Sequence, residues 1–227
     1  MSKRDKSWNM TVHKILSAKN IDYSKLLEVA PLVHGRYKLH GFASPNKIRK
    51  LQASDLDLSK SRFSPICGFI FVTMRNCIFD SMKYEGNISG TFTDCSFQSA
   101  NFSCSGFLSE LSFSGCDFTG ATFKTFDGQK ATFHDCTFDN CTFKNSYFVD
   151  CVFNNCSFSN ANFKASTFGG SDFIDLKHSL SWIVDPPGRR VIVRYPGASH
   201  VVDFNDTLFG LGKFLSGNKK LECENVS

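Results

Sequence analysis

The chain has 227 residues, 41% hydrophobic and 21% charged, with a formal net charge of +5. That length suits one ordinary domain or one capped solenoid, and the longest apolar stretch, residues 66–72, is far too short to cross a bilayer. The opening Met1-Ser2-Lys3-Arg4-Asp5-Lys6 lacks the apolar core of an export signal, so the ten cysteines are expected as free thiols in a reducing, cytoplasmic compartment, not as a secreted disulfide framework.

Charge is unevenly spread. Residues 1–75 carry 14 Lys and Arg against 5 Asp and Glu, residues 76–176 carry 5 against 11, and residues 177–227 carry 7 against 5. A basic head and a nearly neutral tail thus flank a mildly acidic body. Such a head permits nucleic-acid or anionic-surface contact, although a solvated segment is the simpler reading. Residues 1–52 mix short amphipathic stretches, such as Tyr23 to Ala30, with Gly and Pro breaks. They are expected to form a helical or irregular N-terminal cap.

From residue 53 to 176 a period of five takes over. Phe92, Phe97, Phe102 and Phe107 are followed, after a one-residue slip, by Phe113, Phe118 and Phe123, and then by Phe133, Phe138, Phe143, Phe148, Phe153, Phe158, Phe163, Phe168 and Phe173. Two residues before nearly every one lies Cys, Ala or Ser, as at Cys116, Cys136 and Cys156. Weaker units run backwards through Tyr84, Phe79, Met74 and Phe69 to Phe63 and Leu58. Five matches neither a strand's period nor a helix's, so each unit is expected to be one side of a repeating coil. At Gly128, where a Phe is due, the small position two residues earlier holds Phe126; large and small have changed places, which keeps the interior volume. The six-residue step from Phe107 to Phe113 and the eight-residue step from Tyr84 to Phe92 are expected to be bulged corners or loops.

Beyond the repeat, Trp182-Ile183-Val184 and Val191-Ile192-Val193 bracket Asp185-Pro186-Pro187-Gly188, which reads as a β-hairpin. Asn205 or Asp206 is placed to cap a short helix carrying Leu208, Phe209, Leu211, Phe214 and Leu215. Hairpin and helix, residues 177–216, would hide the open end of a solenoid. Residues 217–227 read as a disordered tail.

Units such as Cys95-Ser96-Phe97-Gln98-Ser99, Cys136-Thr137-Phe138-Asp139-Asn140 and Cys156-Ser157-Phe158-Ser159-Asn160 resemble the pentapeptide-repeat family over roughly residues 90–175. The resemblance implies an all-β solenoid, a right-handed quadrilateral β-helix with four units per coil and with central and small residues inside. Phe97, Phe118, Phe126, Phe138 and Phe158 with Cys116, Cys136 and Cys156 would then form its core, residues 20 apart stacking at about 4.8 Å. On that reckoning Lys124, Lys144 and Lys164 make an exposed column. Carboxylates scatter: Asp94, Asp135, Asp172 and Asp175 on one face, Asp117 and Asp139 on another, Asp127 and Asp150 on a third. Arg189 and Arg190, with Arg194, form a second basic cluster on the expected hairpin.

Nothing in the pattern points to catalysis or a cofactor. Cysteines with four residues between them, as at Cys136 and Cys141, do not make paired zinc hooks. The histidines, His134 included, form no triad-like or metal-like spacing, and phosphate-cradling glycine loops are missing from the sequence. A protein-binding role without enzymatic activity is therefore expected. Family members that bind DNA gyrase and related topoisomerases, protecting them from quinolones or peptide toxins, use an acidic rod the width of B-form DNA and dimerise through a C-terminal helix. The resemblance thus offers a type II topoisomerase as partner, with Asp117, Asp139 and Asp150 as contacts and a homodimer through the C-terminal segment. Its rival is a docking scaffold, effector or phage-related assembly protein using the lysine face or the basic head. Direct nucleic-acid contact by the head stays open, and no membrane contact is expected.

Overall fold

The computed structural model describes residues 10–11, 14–15, 18, 23–44, 47–103, 107–164, 166, 171–174, 191–194 and 201–204. Within them the chain winds a right-handed quadrilateral β-solenoid of about six turns with almost no helix. Each five-residue unit supplies a short extended segment and a corner. Along a strand side chains alternate, so the middle residue points in and its neighbours out. Thr132–His134 and Asp127–Gln129 both show that pattern, only the middle residue being buried.

Corners need a residue at positive φ, which costs least for Gly, Asn and Asp. Asp94, Asp135, Asn140, Asn145, Asp150, Asn155 and Asn160 take φ between 49° and 57° there, and Gly115 and Gly120 take 63° and 69°. The polar runs between phenylalanines are thus corner residues as well as solubilising ones.

Four faces result. The first carries Met74, Phe92, Phe113, Phe133, Phe153 and Phe173 as its inward residues, aligned through parallel pairing. Leu58, Phe79, Phe97, Phe118, Phe138 and Phe158 occupy the second, whose outward neighbours are joined by parallel bridges from Asp57 to Ser157. The third aligns Phe63, Tyr84, Phe102, Phe123, Phe143 and Phe163. On the fourth, Gly128 pairs with Phe148, while Phe126 fills the interior at 0% exposure. Inside, rings of successive coils lie parallel: Phe118 and Phe138 at 4.9 Å and 2°, Phe123 and Phe143 at 5.0 Å and 4°. Rings on neighbouring faces meet edge to face, as Phe113 and Phe118 do at 5.2 Å and 80°. Both arrangements satisfy the ring quadrupole.

Above residue 114 the square is less regular. Gly68–Arg75, Asn87–Thr93 and Phe107–Ser114 are each one continuous strand spanning the fourth and first faces, although Phe71 at φ 52° still turns a corner within the first of them. Ile88 is fully buried and pairs with Phe69 and Phe107. The eight-residue step from Tyr84 to Phe92 is therefore two four-residue units, not a loop, and the step from Phe107 to Phe113 lies within one strand. The register shift between Ile88 and Gly90 absorbs the missing residues. Tyr84 repairs the junction: its hydroxyl donates to the Asn87 carbonyl at 2.6 Å and accepts the Phe69 N–H at 2.8 Å.

Parallel pairing reaches back to Arg36–Lys38 and Lys47–Arg49, inside the segment read as a cap. Before it, α1 (Tyr23–Val29) buries Leu26 in the same apolar cluster as the repeat core. At the far end Val191–Arg194 pairs on one side with Asp172–Ile174 and on the other, antiparallel, with Val201–Phe204. Val191–Arg194 therefore forms an antiparallel pair with the strand that follows it; the expected pairing with Trp182–Val184 falls on residues that are not described. Residues 182–184 and 205–227 lie outside the described residues.

Cys67, Cys77, Cys95, Cys116, Cys136, Cys141, Cys151 and Cys156 are all buried, and none of them is in a disulfide. Cys67 Sγ lies 3.1 Å from the Ser64 hydroxyl, and the other thiols donate to main-chain carbonyls, Cys136 to His134 at 3.3 Å and Cys141 to Phe118 at 2.9 Å. Burial pushes the Cys151 thiol up to about 12 and the Cys141 thiol higher still, so neither offers a thiolate near neutrality. A disulfide-specific thiol reagent at pH 8 is expected to leave these eight unmodified in the native protein. After denaturation without reductant all ten cysteines should react, and a smaller number would reveal disulfides.

Candidate partner-binding faces

Since the interior is apolar and closed, whatever this rod recognises must meet its outward positions. Two of those per unit flank the inward residue and one sits at the corner, so charge is sorted by position within the unit.

On the third face the position after the inward residue holds Ser103, Lys124, Lys144 and Lys164 in direct register. Lys124 and Lys144 are exposed. The position before it holds Arg62 and Lys83, also in register and exposed. These two were missed in the sequence, although Arg62 precedes Phe63 and Lys83 precedes Tyr84 on the same period. Glu85 is the one acidic side chain here among the described residues. Like charges stacked across a ladder repel, so this face holds its cations at some cost.

The second face is opposite in sign. Asp117 is half-buried and accepts from the Thr119 N–H at 2.8 Å, the Thr119 hydroxyl at 2.6 Å and the Gln98 amide at 2.6 Å. Asp139, likewise half-buried, accepts from the Ser159 N–H at 2.8 Å and the Ser157 hydroxyl. Asp80 accepts from the Gln98 N–H at 3.0 Å and the Ser96 hydroxyl. Asp80 and Asp139 are held by donors of the next coil and Asp117 by its own coil and the one before, so each carboxylate is a rigid part of the ladder. At the top, desolvation alone would raise the Asp57 carboxyl, yet the Lys38 ammonium and the Ser59 donors hold it below its ordinary value.

The corner leading into this face carries Asp55, Asn76, Asp94, Gly115, Asp135 and Asn155 on successive coils. Acid alternates with amide or glycine, and the amides donate across the gap: Asn76 to Asp55 at 2.6 Å, Asn155 to Asp135. Carboxylates are thereby kept from stacking on one another. The carboxylates of residues 94 and 135 thus adjoin those of residues 117 and 139. This corrects the scattered arrangement expected from the sequence: Asp80, Asp94, Asp117, Asp135 and Asp139 line one face and its edge. Among the described residues no lysine or arginine forms an ion pair with them; His134 Nδ1 lies 3.5 Å from Asp135 Oδ2.

Asp150 is not brought to this stripe. It is exposed at the corner after the fourth face, one coil beyond Lys130. Lys164 is placed by its strand alone, and Arg189 and Arg190 lie outside the described residues. His134 faces out beside Asn154, their side-chain nitrogens 3.2 Å apart. Among the described residues no cluster of His, Cys, Asp or Glu is arranged to hold a metal ion, and no helix is long and apolar enough to cross a membrane.

Two family models described as pentapeptide repeats match the chain, one over residues 108–145 and one over residues 129–174. No curated protein matches it in sequence. Among solved structures it is similar to a trypsin-treated form of QnrB1, a plasmid-mediated fluoroquinolone resistance protein, at 17% identity. That match covers 55% of this chain and 73% of the other, with a TM-score of 0.32. It is also similar to HetL, a pentapeptide repeat protein involved in heterocyst differentiation regulation from the cyanobacterium Nostoc sp., at 10% identity. There the match covers 78% of this chain and 93% of the other, with a TM-score of 0.39.

Proposed function

We propose, for a chain whose repeat body belongs to the pentapeptide-repeat family, that it is a non-catalytic binding rod that modulates a type II topoisomerase, DNA gyrase being the first candidate. The acidic stripe of the second face carries this reading. A surface that binds duplex DNA is built to neutralise phosphates with Lys and Arg and to release their counterions. A rigid array of carboxylates can compete for such a surface, and it has no duplex to be cleaved. The hydrogen bonds from Ser96, Gln98, Thr119, Ser157 and Ser159 favour that role, because little side-chain freedom is left to lose on docking.

The test is titration of the purified chain into a gyrase supercoiling and DNA-binding assay, with and without a fluoroquinolone. Replacing Asp94, Asp117, Asp135 and Asp139 by Asn keeps the shape and one acceptor oxygen of each while removing the charge. That variant is expected to bind gyrase at least tenfold more weakly, and the wild-type affinity should fall steeply with salt. Equal binding by the two proteins would end the reading.

A second reading has its own observation. The register-matched cations of the third face, Lys124, Lys144 and Lys164 with Arg62 and Lys83, favour a docking scaffold that seats an acidic protein surface. Lys124→Glu with Lys144→Glu would then remove partner binding, and the four Asp→Asn changes would not.

A further inference from the structure

The two charged faces are neighbours on one rod and share one ruler. Coil by coil, Lys83 follows Asp80 round the corner, Lys124 follows Asp117 and Lys144 follows Asp139. Arg62 follows Asp57, whose carboxylate is already buried against Lys38, and Lys164 follows Ser157 and Ser159, in a coil with no carboxylate on the second face. The coil that lacks a cation on the third face, with Ser103 in that place, also lacks a carboxylate on the second face. Opposite charges therefore recur at the same coil-to-coil spacing, about 4.8 Å, on faces that no described cation or carboxylate bridges across.

From this we propose that copies of this chain associate side by side, the acidic second face of one rod lying against the lysine-bearing third face of the next. Any partner must match both the spacing and the sign along several coils, and a second copy does so by construction. The outward column beside the lysines, across the inward phenylalanines, holds Asn101, Thr122 and Thr142, small enough to let a flat face approach. A nucleic acid fits less well, because the acidic stripe adjoining the lysines repels phosphate. The asymmetry within the rod agrees with this. Carboxylates along the corner are relieved by Asn76, Gly115 and Asn155, while Lys124 and Lys144 stack without relief and gain most from an external anion. The contact is heterologous, so each pair leaves one acidic and one basic face open and mass grows with concentration.

This inference does not rest on the topoisomerase reading, but it uses the same acidic face, so self-association and topoisomerase binding compete. Lys124→Glu/Lys144→Glu separates them: it should abolish self-association and leave the acidic stripe free for the enzyme.

The experiment is sedimentation equilibrium of the full chain after nuclease treatment, at about 0.01 M and about 1 M salt, where charges are screened over about 30 Å and about 3 Å. Association at low salt, weakened at least tenfold at high salt, is expected. Lys124→Glu/Lys144→Glu and Asp94→Lys/Asp135→Lys should each be monomeric alone and associate when mixed. Lysine at those corners has precedent in Lys50, Lys60 and Lys130 at φ 53°, 55° and 55°, and circular dichroism checks each fold. Should a variant fail to fold, the salt dependence of the wild type decides. A monomer at low salt, association indifferent to the lysine changes, or association that vanishes with nuclease would each overturn the proposal, the last by naming a nucleic acid as occupant.

Discussion

Phe138→Ala is expected to lower the unfolding free energy by about 3–5 kcal/mol. The ring is fully buried between Phe118 at 4.9 Å and Phe158 at 4.8 Å, with the edges of Phe133 at 5.3 Å and Phe153 at 5.8 Å against it. Removing it loses the transfer free energy of the ring and opens a cavity. The cavity cannot readily close, because hydrogen bonds hold the neighbouring coils apart: Phe138 N–H to the Ser157 carbonyl at 2.7 Å and Phe118 N–H to the Thr137 carbonyl at 2.8 Å. Urea denaturation measures the loss directly. Phe138→Leu should cost much less, since it keeps most of the apolar volume. A loss below about 1 kcal/mol for the alanine variant would mean that the column re-closes and that ring stacking is not what holds the coils together.

Gly90→Ala is the second large effect, and its cause is different. Gly90 has φ of +121°, and a Cβ there would lie 2.0 Å from the carbonyl oxygen of Val72 and 2.6 Å from its nitrogen. Those atoms belong to the parallel partner strand, so relief requires breaking the ladder between Asn87–Thr93 and Gly68–Arg75. Backbone strain alone accounts for about 1–3 kcal/mol, and the clash adds to it. Loss of cooperative folding is expected, read as a flattened thermal transition. Gly120→Asn provides the contrast: at φ +69° its Cβ would meet only the Ser99 hydroxyl at 3.5 Å, and Asn140 and Asn160 already hold that corner in later coils. If Gly90→Ala melted like Gly120→Asn, the close approach would be wrong.

Much of this fold was legible because one residue type marks one position. Phenylalanine at every fifth place fixes what faces in, and the regular stretch from Phe113 to Phe158 follows that rule except at Phe126 and Gly128, which exchange large and small while both stay buried. The rule fails where another residue does the same job at another spacing. Ile88 is central, yet it lies four residues from both Tyr84 and Phe92, so a five-residue count passes over it. Val191–Val193 was legible as a strand but its partner was not, because pairing of short apolar strands is chosen by which sheet edge is free. The acidic stripe was hidden for a geometric reason. Asp135 and Asp139 stand four residues apart and are naturally assigned to different sides. A corner residue belongs to both sides it joins, and this is what merges Asp94 and Asp135 with Asp117 and Asp139.

The exact register between coils has an evolutionary consequence. Thr122, Phe123 and Lys124 lie against Thr142, Phe143 and Lys144, residue for residue. Duplicating or deleting one complete circuit would lengthen or shorten the rod and leave every column where it was. Gaining or losing a single unit would turn all that follows through a quarter circle, carrying lysines to where carboxylates stood. Descent with change in length is therefore quantised, and the patterned surface is inherited only in whole circuits.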